Sequence, residues 1–131
     1  MDLTRYIGLP YVFKGESFKG VDCYGLCRLF YRFEFEEELP DYGHLYTDGD
    51  GEAIGLAVLN NRAKGRWVMG PDPVPYSIAT FRVKGLPIHC GIVLQNRRDF
   101  LHAFKGRMSA IEPLDAISWA SRLEGYSVWT R

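Results

Sequence analysis

A cysteine stands where a glycine-containing loop gives way to an amphipathic segment, in the run Gly20-Val21-Asp22-Cys23-Tyr24-Gly25-Leu26. From Leu26 the apolar residues recur at Leu29, Phe30 and Phe33, the three-and-four spacing of one helical face. Asp22 is a natural N-cap for that helix, which places Cys23 in its first turn. The positive end of the helix dipole favours an anion there, and a thiol so placed is expected to ionise more easily and become nucleophilic. The same position also suits a small buried residue that merely starts a helix. The segment alone leaves both readings open.

A search of the chain for a base finds three histidines, His44, His89 and His102. His89 opens the β-prone run Ile88-His89-Cys90-Gly91-Ile92-Val93-Leu94, and Phe100-Leu101-His102-Ala103-Phe104 is a second such run. The polar break Gln95-Asn96-Arg97-Arg98-Asp99 between them reads as the turn of a β-hairpin. Pairing Leu94 with Asp99 sets Gly91 opposite His102. His89 and His102 then share a face as diagonal neighbours, about 7 Å apart at Cα. One histidine can take the thiol proton while the other orients it. His44, beside Tyr42 and Tyr46, reads as an exposed bystander.

These motifs together resemble a known family. Tyr11-Val12-Phe13, a glycine-containing loop, Asp22-Cys23-x-Gly25-Leu26, His89-x-Gly91-Ile92-Val93 and His102-Ala103 follow the order seen in the NlpC family of cell-wall cysteine peptidases. The resemblance covers about residues 5 to 105. It implies a papain-like enzyme that cuts the peptide stems of bacterial peptidoglycan without a metal or organic cofactor. Carried over, Cys23 is the nucleophile, His89 the general base and His102 the orienting residue. Tyr11 resembles the tyrosine that helps the oxyanion site, and Asp22 the acidic residue that contributes to substrate binding. Two departures stand out. Tyr24 occupies a position that is usually serine and bears on substrate binding. The usual Gly-Asp-Leu run is replaced by Tyr76-Ser77-Ile78-Ala79-Thr80-Phe81-Arg82, a phrasing similar to the short members encoded with phage tail genes.

Size and composition fit one compact domain over residues 1–131. Hydrophobic residues make up 47% and aromatics 15%, enough for a single core. Lys plus Arg equals Asp plus Glu at 16 each, so no basic excess points to nucleic acid. No apolar run approaches the roughly 18 residues of a membrane span. The N-terminus lacks the basic start and apolar core of a signal peptide. A wall enzyme of this kind is therefore expected to be made in the cytoplasm and carried outward by something else, such as a phage tail and its proteins.

Three cysteines are an odd count and suggest no disulfide framework. Cys27, one turn after Cys23, reads as packing. Zinc on Cys23, Cys27, His89 and Cys90 is the rival, but adjacent strand residues such as His89 and Cys90 point to opposite faces and do not close one tetrahedron. Asp48-Gly49-Asp50-Gly51-Glu52 lacks the full spacing of a calcium loop and reads as a turn before a helix from Glu52 to about Ala63. Pro40 is expected to stop the first helix, and residues 65–75 to form an irregular connection. A strand over Ser77–Val83, a turn at Lys84-Gly85-Leu86-Pro87, a short helix over Leu114–Ser121 and a strand over Tyr126–Thr130 complete the reading. Helices first and clustered strands later predict an α+β domain, with the first helix packed on an antiparallel sheet and Cys23 facing the two histidines.

Overall fold

The computed structural model describes residues 1–42, 66–83 and 86–130. The expected Glu52–Ala63 helix, the Asp48–Glu52 turn, His44 and the first half of the expected Lys84–Pro87 turn lie outside the described residues, while Leu86 and Pro87 of that turn already belong to a strand. A single turn of 3-10 helix at Thr4–Tyr6 opens the chain, followed by the small hairpin of β1 (Glu16–Ser17) and β2 (Gly20–Val21) and then α1 (Cys23–Phe35). The main sheet contains β3 (Trp67–Gly70), β4 (Ile78–Val83), β5 (Leu86–Val93), β6 (Asp99–His102), β7 (Ala110–Pro113) and β8 (Leu123–Trp129), with the short α2 (Ile117–Ala120) before β8. Its order is β3-β8-β4-β5-β6-β7 and every pairing is antiparallel. The class is α+β, as expected.

Helix α1 begins where the sequence says it should. Asp22 is extended and its carboxylate accepts the Gly25 N–H, which satisfies one of the donors left open at a helix start. Gly25 is required by close approach: a Cβ there would lie 1.8 Å from the Gly15 carbonyl oxygen. The helix ends at Phe35, earlier than Pro40 demands, because Glu36 turns left-handed at φ 51° and its N–H returns to the Tyr31 carbonyl. Leu26, Leu29 and Phe30 are buried on the expected stripe. Phe33 is not; it is exposed and lies edge-on to Phe18.

Two clusters cover the two faces of the sheet. On one face α1 sets Cys23, Tyr24, Leu26, Cys27 and Phe30 among Ile78, Cys90, Ile92, Leu94, Leu101 and Ala103. On the other, Ala79, Phe81, Val93, Phe100, Leu114 and Tyr126 pack around Trp119 of α2. Alternation along β5 therefore sends Cys90 and Ile92 to the helix and Val93 to the reverse face. The β5–β6 hairpin has the expected register, with the Leu94 N–H on the Asp99 carbonyl and Gly91 opposite His102. Strands β3 and β7 were not expected, and β8 begins three residues earlier than Tyr126.

Candidate active site

Cys23 is 4% exposed, and its thiol interacts with that of Cys90, the strand residue beneath it. Cys27 adds its Sγ at 3.5 Å from the Cys23 carbonyl oxygen. The Cys90 side chain, then burial and the charge of Asp22, push the Cys23 thiol well above its ordinary pKa. The expected thiolate is thereby corrected for the free protein. A helix dipole contributes about 0.3–1 kcal/mol at a surface site, whereas full burial moves a pKa by up to about 3–5 units, each roughly 1.4 kcal/mol. Desolvation and the neighbouring thiol win.

Around the thiol, each predicted residue has a definite place. Asp22 is fully buried, and its carboxylate accepts the Gly25 N–H at 2.6 Å and the Lys14 N–H at 3.0 Å. It holds the loop and the helix start together. Tyr11 is half-buried and bridged to Val21, two residues before Cys23. Burial, then the proximity of Cys23, Asp22 and Cys90, raises its phenol and keeps it a neutral donor. Tyr24 is buried, stacks on Tyr42 and donates its hydroxyl to the Pro40 carbonyl at 2.7 Å. It anchors the chain after α1.

The histidines meet on the reverse face of the sheet. His89 Nε2 lies 2.8 Å from His102 Nδ1. Gly91 makes this possible, because a Cβ there would come within 2.8 Å of the His102 Cβ. His102 Nε2 in turn lies 2.5 Å from Glu112 Oε2, which also accepts the Trp119 indole N–H at 3.0 Å. Burial, then His102, holds His89 well below the usual imidazole range. Burial also lowers His102, outweighing the opposing pull of Glu112. Both rings are neutral near pH 7. The His89 ring stacks on Trp119 at 4.9 Å and sits near Phe81 and Phe104.

The structure thus joins His89 to His102 and sets Tyr11 beside Cys23, but it does not join the thiol to either imidazole. Cys23 has no hydrogen bond to His89 or His102 among the described residues. The expectation that Cys23 faces the histidines is corrected by strand alternation: Cys90 takes the helix side and His89 the other. Among the described residues no group of three or more His, Cys, Asp or Glu is arranged to hold a metal ion.

Glu112 and Trp119 are neighbours of the histidine pair that the sequence reading missed. Phe100 pairs with Glu112 and His102 with Ala110, so Glu112 is diagonal to His102 just as His89 is. The available signal was the short run Ala110-Ile111-Glu112-Pro113 after the hairpin, too brief to read as a strand by periodicity.

Comparison with known proteins bears on the fold. The chain is similar to the NlpC/p60 domain of the peptidoglycan hydrolase SagA, with TM-score 0.62 and 18% identity over 97% of this chain and 92% of that one. It is similar to an NLP/P60-family lipoprotein-like protein from Staphylococcus aureus, with TM-score 0.65 and 20% identity over 98% of this chain but 39% of that one. An NlpC/P60 family protein from Bacillus cereus gives TM-score 0.58 and 18% identity, over 96% and 37%. The chain thus spans well under half of the latter two. No curated protein matches the sequence. The profile of the NlpC/P60 family matches residues 8–128, and the chain belongs to that family.

Proposed function

We propose that this protein is a cysteine peptidase that hydrolyses an amide bond in the stem peptide of bacterial peptidoglycan. The observation that carries the reading is the His89–His102 pair. Its one hydrogen bond occupies His89 Nε2, so Nδ1 keeps no partner among the described residues and remains available as a base. Cys23 is the nucleophile. In the free protein the thiol rests on Cys90 while the imidazole lies on the other face of β5, so attack requires a local rearrangement that brings the two within about 3 Å. The proton then passes to His89 and the thiolate attacks the carbonyl carbon. The Cys23 backbone N–H and the Tyr11 hydroxyl stabilise the tetrahedral oxyanion. Its collapse expels the amine, which takes the proton from His89. Water, deprotonated by His89, opens the thioester and releases the acid.

The bond favoured by the family resemblance joins γ-D-glutamate to the diamino acid. Delivery with a phage tail belongs to the same proposal and rests on the resemblance at Tyr76–Arg82. A second reading, a catalytically idle wall-binding or tail module, draws on one observation: the Cys23 thiol is neutral and rests on Cys90. Tyr24 in place of serine keeps a third in view, a cysteine amidase or acyltransferase acting on another amide. Mass spectrometry of muropeptides after digestion of isolated sacculi separates them. A new free N-terminus on the diamino acid supports the proposed bond. Release of whole stems identifies a muramoyl–alanine amidase instead. The absence of new stem fragments from every wall type defeats the hydrolase reading.

A further inference from the structure

The histidine pair is one part of a longer chain. Across β5, β6 and β7 run three side chains, each diagonal to the next: His89, His102 and Glu112. A carboxylate that accepts from His102 Nε2 requires the proton of that ring to sit on Nε2. His102 Nδ1 then carries a lone pair and accepts from His89 Nε2–H, which leaves the lone pair of His89 on Nδ1. The trans-ring order is set from the Glu112 end.

We infer that Glu112 is a positioning residue that fixes the tautomer of both histidines, and so presents His89 Nδ1 as the base. Trp119 completes the device. Its indole N–H donates to the same Glu112 oxygen that faces His102, and its ring stacks on His89, so one side chain holds both ends of the relay. An oxygen that receives two donors has no room for a third hydrogen, and this determines which end of an amide would point inward at position 112. The charged and titratable groups around His102 are His89 from β5, Glu112 from β7 and Arg107 from the β6–β7 connection. Arg107 acts against protonation of His102 and Glu112 acts for it. Arg122 stands over the Trp119 ring, 5.8 Å from its centroid.

The catalytic consequence rests on the peptidase reading, but the tautomer itself does not. Long-range proton–nitrogen spectra of the labelled full chain, recorded across pH, read each ring nitrogen directly. The wild-type protein should show both His102 and His89 protonated on Nε2. Glu112→Gln should retain that pattern, because Trp119 orients the amide oxygen inward, while His102 titrates at lower pH once the carboxylate charge is gone. Glu112→Ala should mix the tautomers of both rings. On a stem peptide it should lower kcat about a hundredfold with KM little changed, and Glu112→Gln should restore most of that loss. The inference is overturned by a wild-type His102 protonated on Nδ1, or by a Glu112→Gln protein whose His102 titration does not move. Should Glu112→Ala fail to fold, the glutamine variant still decides. A protein that shows these spectra and cuts no stem peptide sinks the peptidase reading and leaves the relay standing.

Discussion

His89 Nε2 lies 2.8 Å from His102 Nδ1, across a hairpin whose register places Gly91 directly opposite His102. That contact orders the two histidines by role, since the ring whose second nitrogen has no partner among the described residues is the one that can accept a proton. His89→Ala should abolish turnover, a loss of about a thousandfold or more, whereas His102→Ala should lose about a hundredfold. His102→Gln should be milder than alanine, because its amide can still accept from His89 Nε2 and donate to Glu112. Steady-state kinetics on a synthetic stem peptide reads all three. Equal loss from both alanine variants contradicts the division of labour.

The Cys23 thiol is buried against Cys90, so in the free protein it should alkylate slowly with iodoacetamide at neutral pH. Cys90→Ala removes the side chain that does most to raise its pKa and should accelerate labelling of Cys23 several-fold. Peptide mapping by mass spectrometry after timed quenches gives the rates. A wild-type Cys23 that labels faster than a free thiol, or one indifferent to Cys90→Ala, contradicts the description of the site.

His89 and His102 both have folded pKa values below their ordinary 6.5. The unfolded chain therefore takes up more protons than the native state as pH falls through about 6.5, and stability declines with it. Their contribution is fully present above that pH and lost below it. Glu34, where burial is outweighed by the hydrogen bonds of Tyr6 and then Arg5, and Glu38, bonded to Arg32, are held under 4.5 and do not interfere in this window. Urea midpoints should be lower at about pH 5 than at about pH 7.5, and replacing both histidines by glutamine should flatten the difference. A midpoint that rises toward pH 5 would show the histidines charged in the fold.

Glycines test the close approaches. Gly25→Ala would drive a Cβ into the Gly15 carbonyl, and Gly91→Ala would press on His102, Leu101 and Phe100. Each should lower stability by at least about 1–3 kcal/mol, Gly25→Ala by more. Gly70→Ala meets nothing within 4 Å and should leave the melting temperature unchanged or raised. Thermal melts followed by circular dichroism compare the three.

The elements legible in the sequence are those governed by a local rule. Asp22 announces the start of α1, because a cap has a residue preference and a fixed spacing. Two apolar runs around a short polar break fix the β5–β6 register, because strand periodicity is two. The end of α1 was not legible, since the left-handed turn falls on Glu36, a residue with no special liking for it. Nor was the face on which the helix lands. Alternation along β5 assigns Cys90 and His89 to opposite sides, but only packing decides which side receives α1. Strand β7 spans four residues and pairs at the sheet edge, so Glu112 carried no pattern of its own.

The central claim is that Cys23 forms a thioester with the stem peptide. Intact-protein mass spectrometry, on acid-quenched mixtures of enzyme and excess stem peptide, tests it most directly. The wild-type protein should gain the mass of the acyl fragment, mapped to Cys23 and removed by hydroxylamine, while Cys23→Ala gains nothing and releases no amine. Stem fragments produced at the wild-type rate by Cys23→Ala, or an adduct mapped to Cys27 or Cys90, would contradict the account.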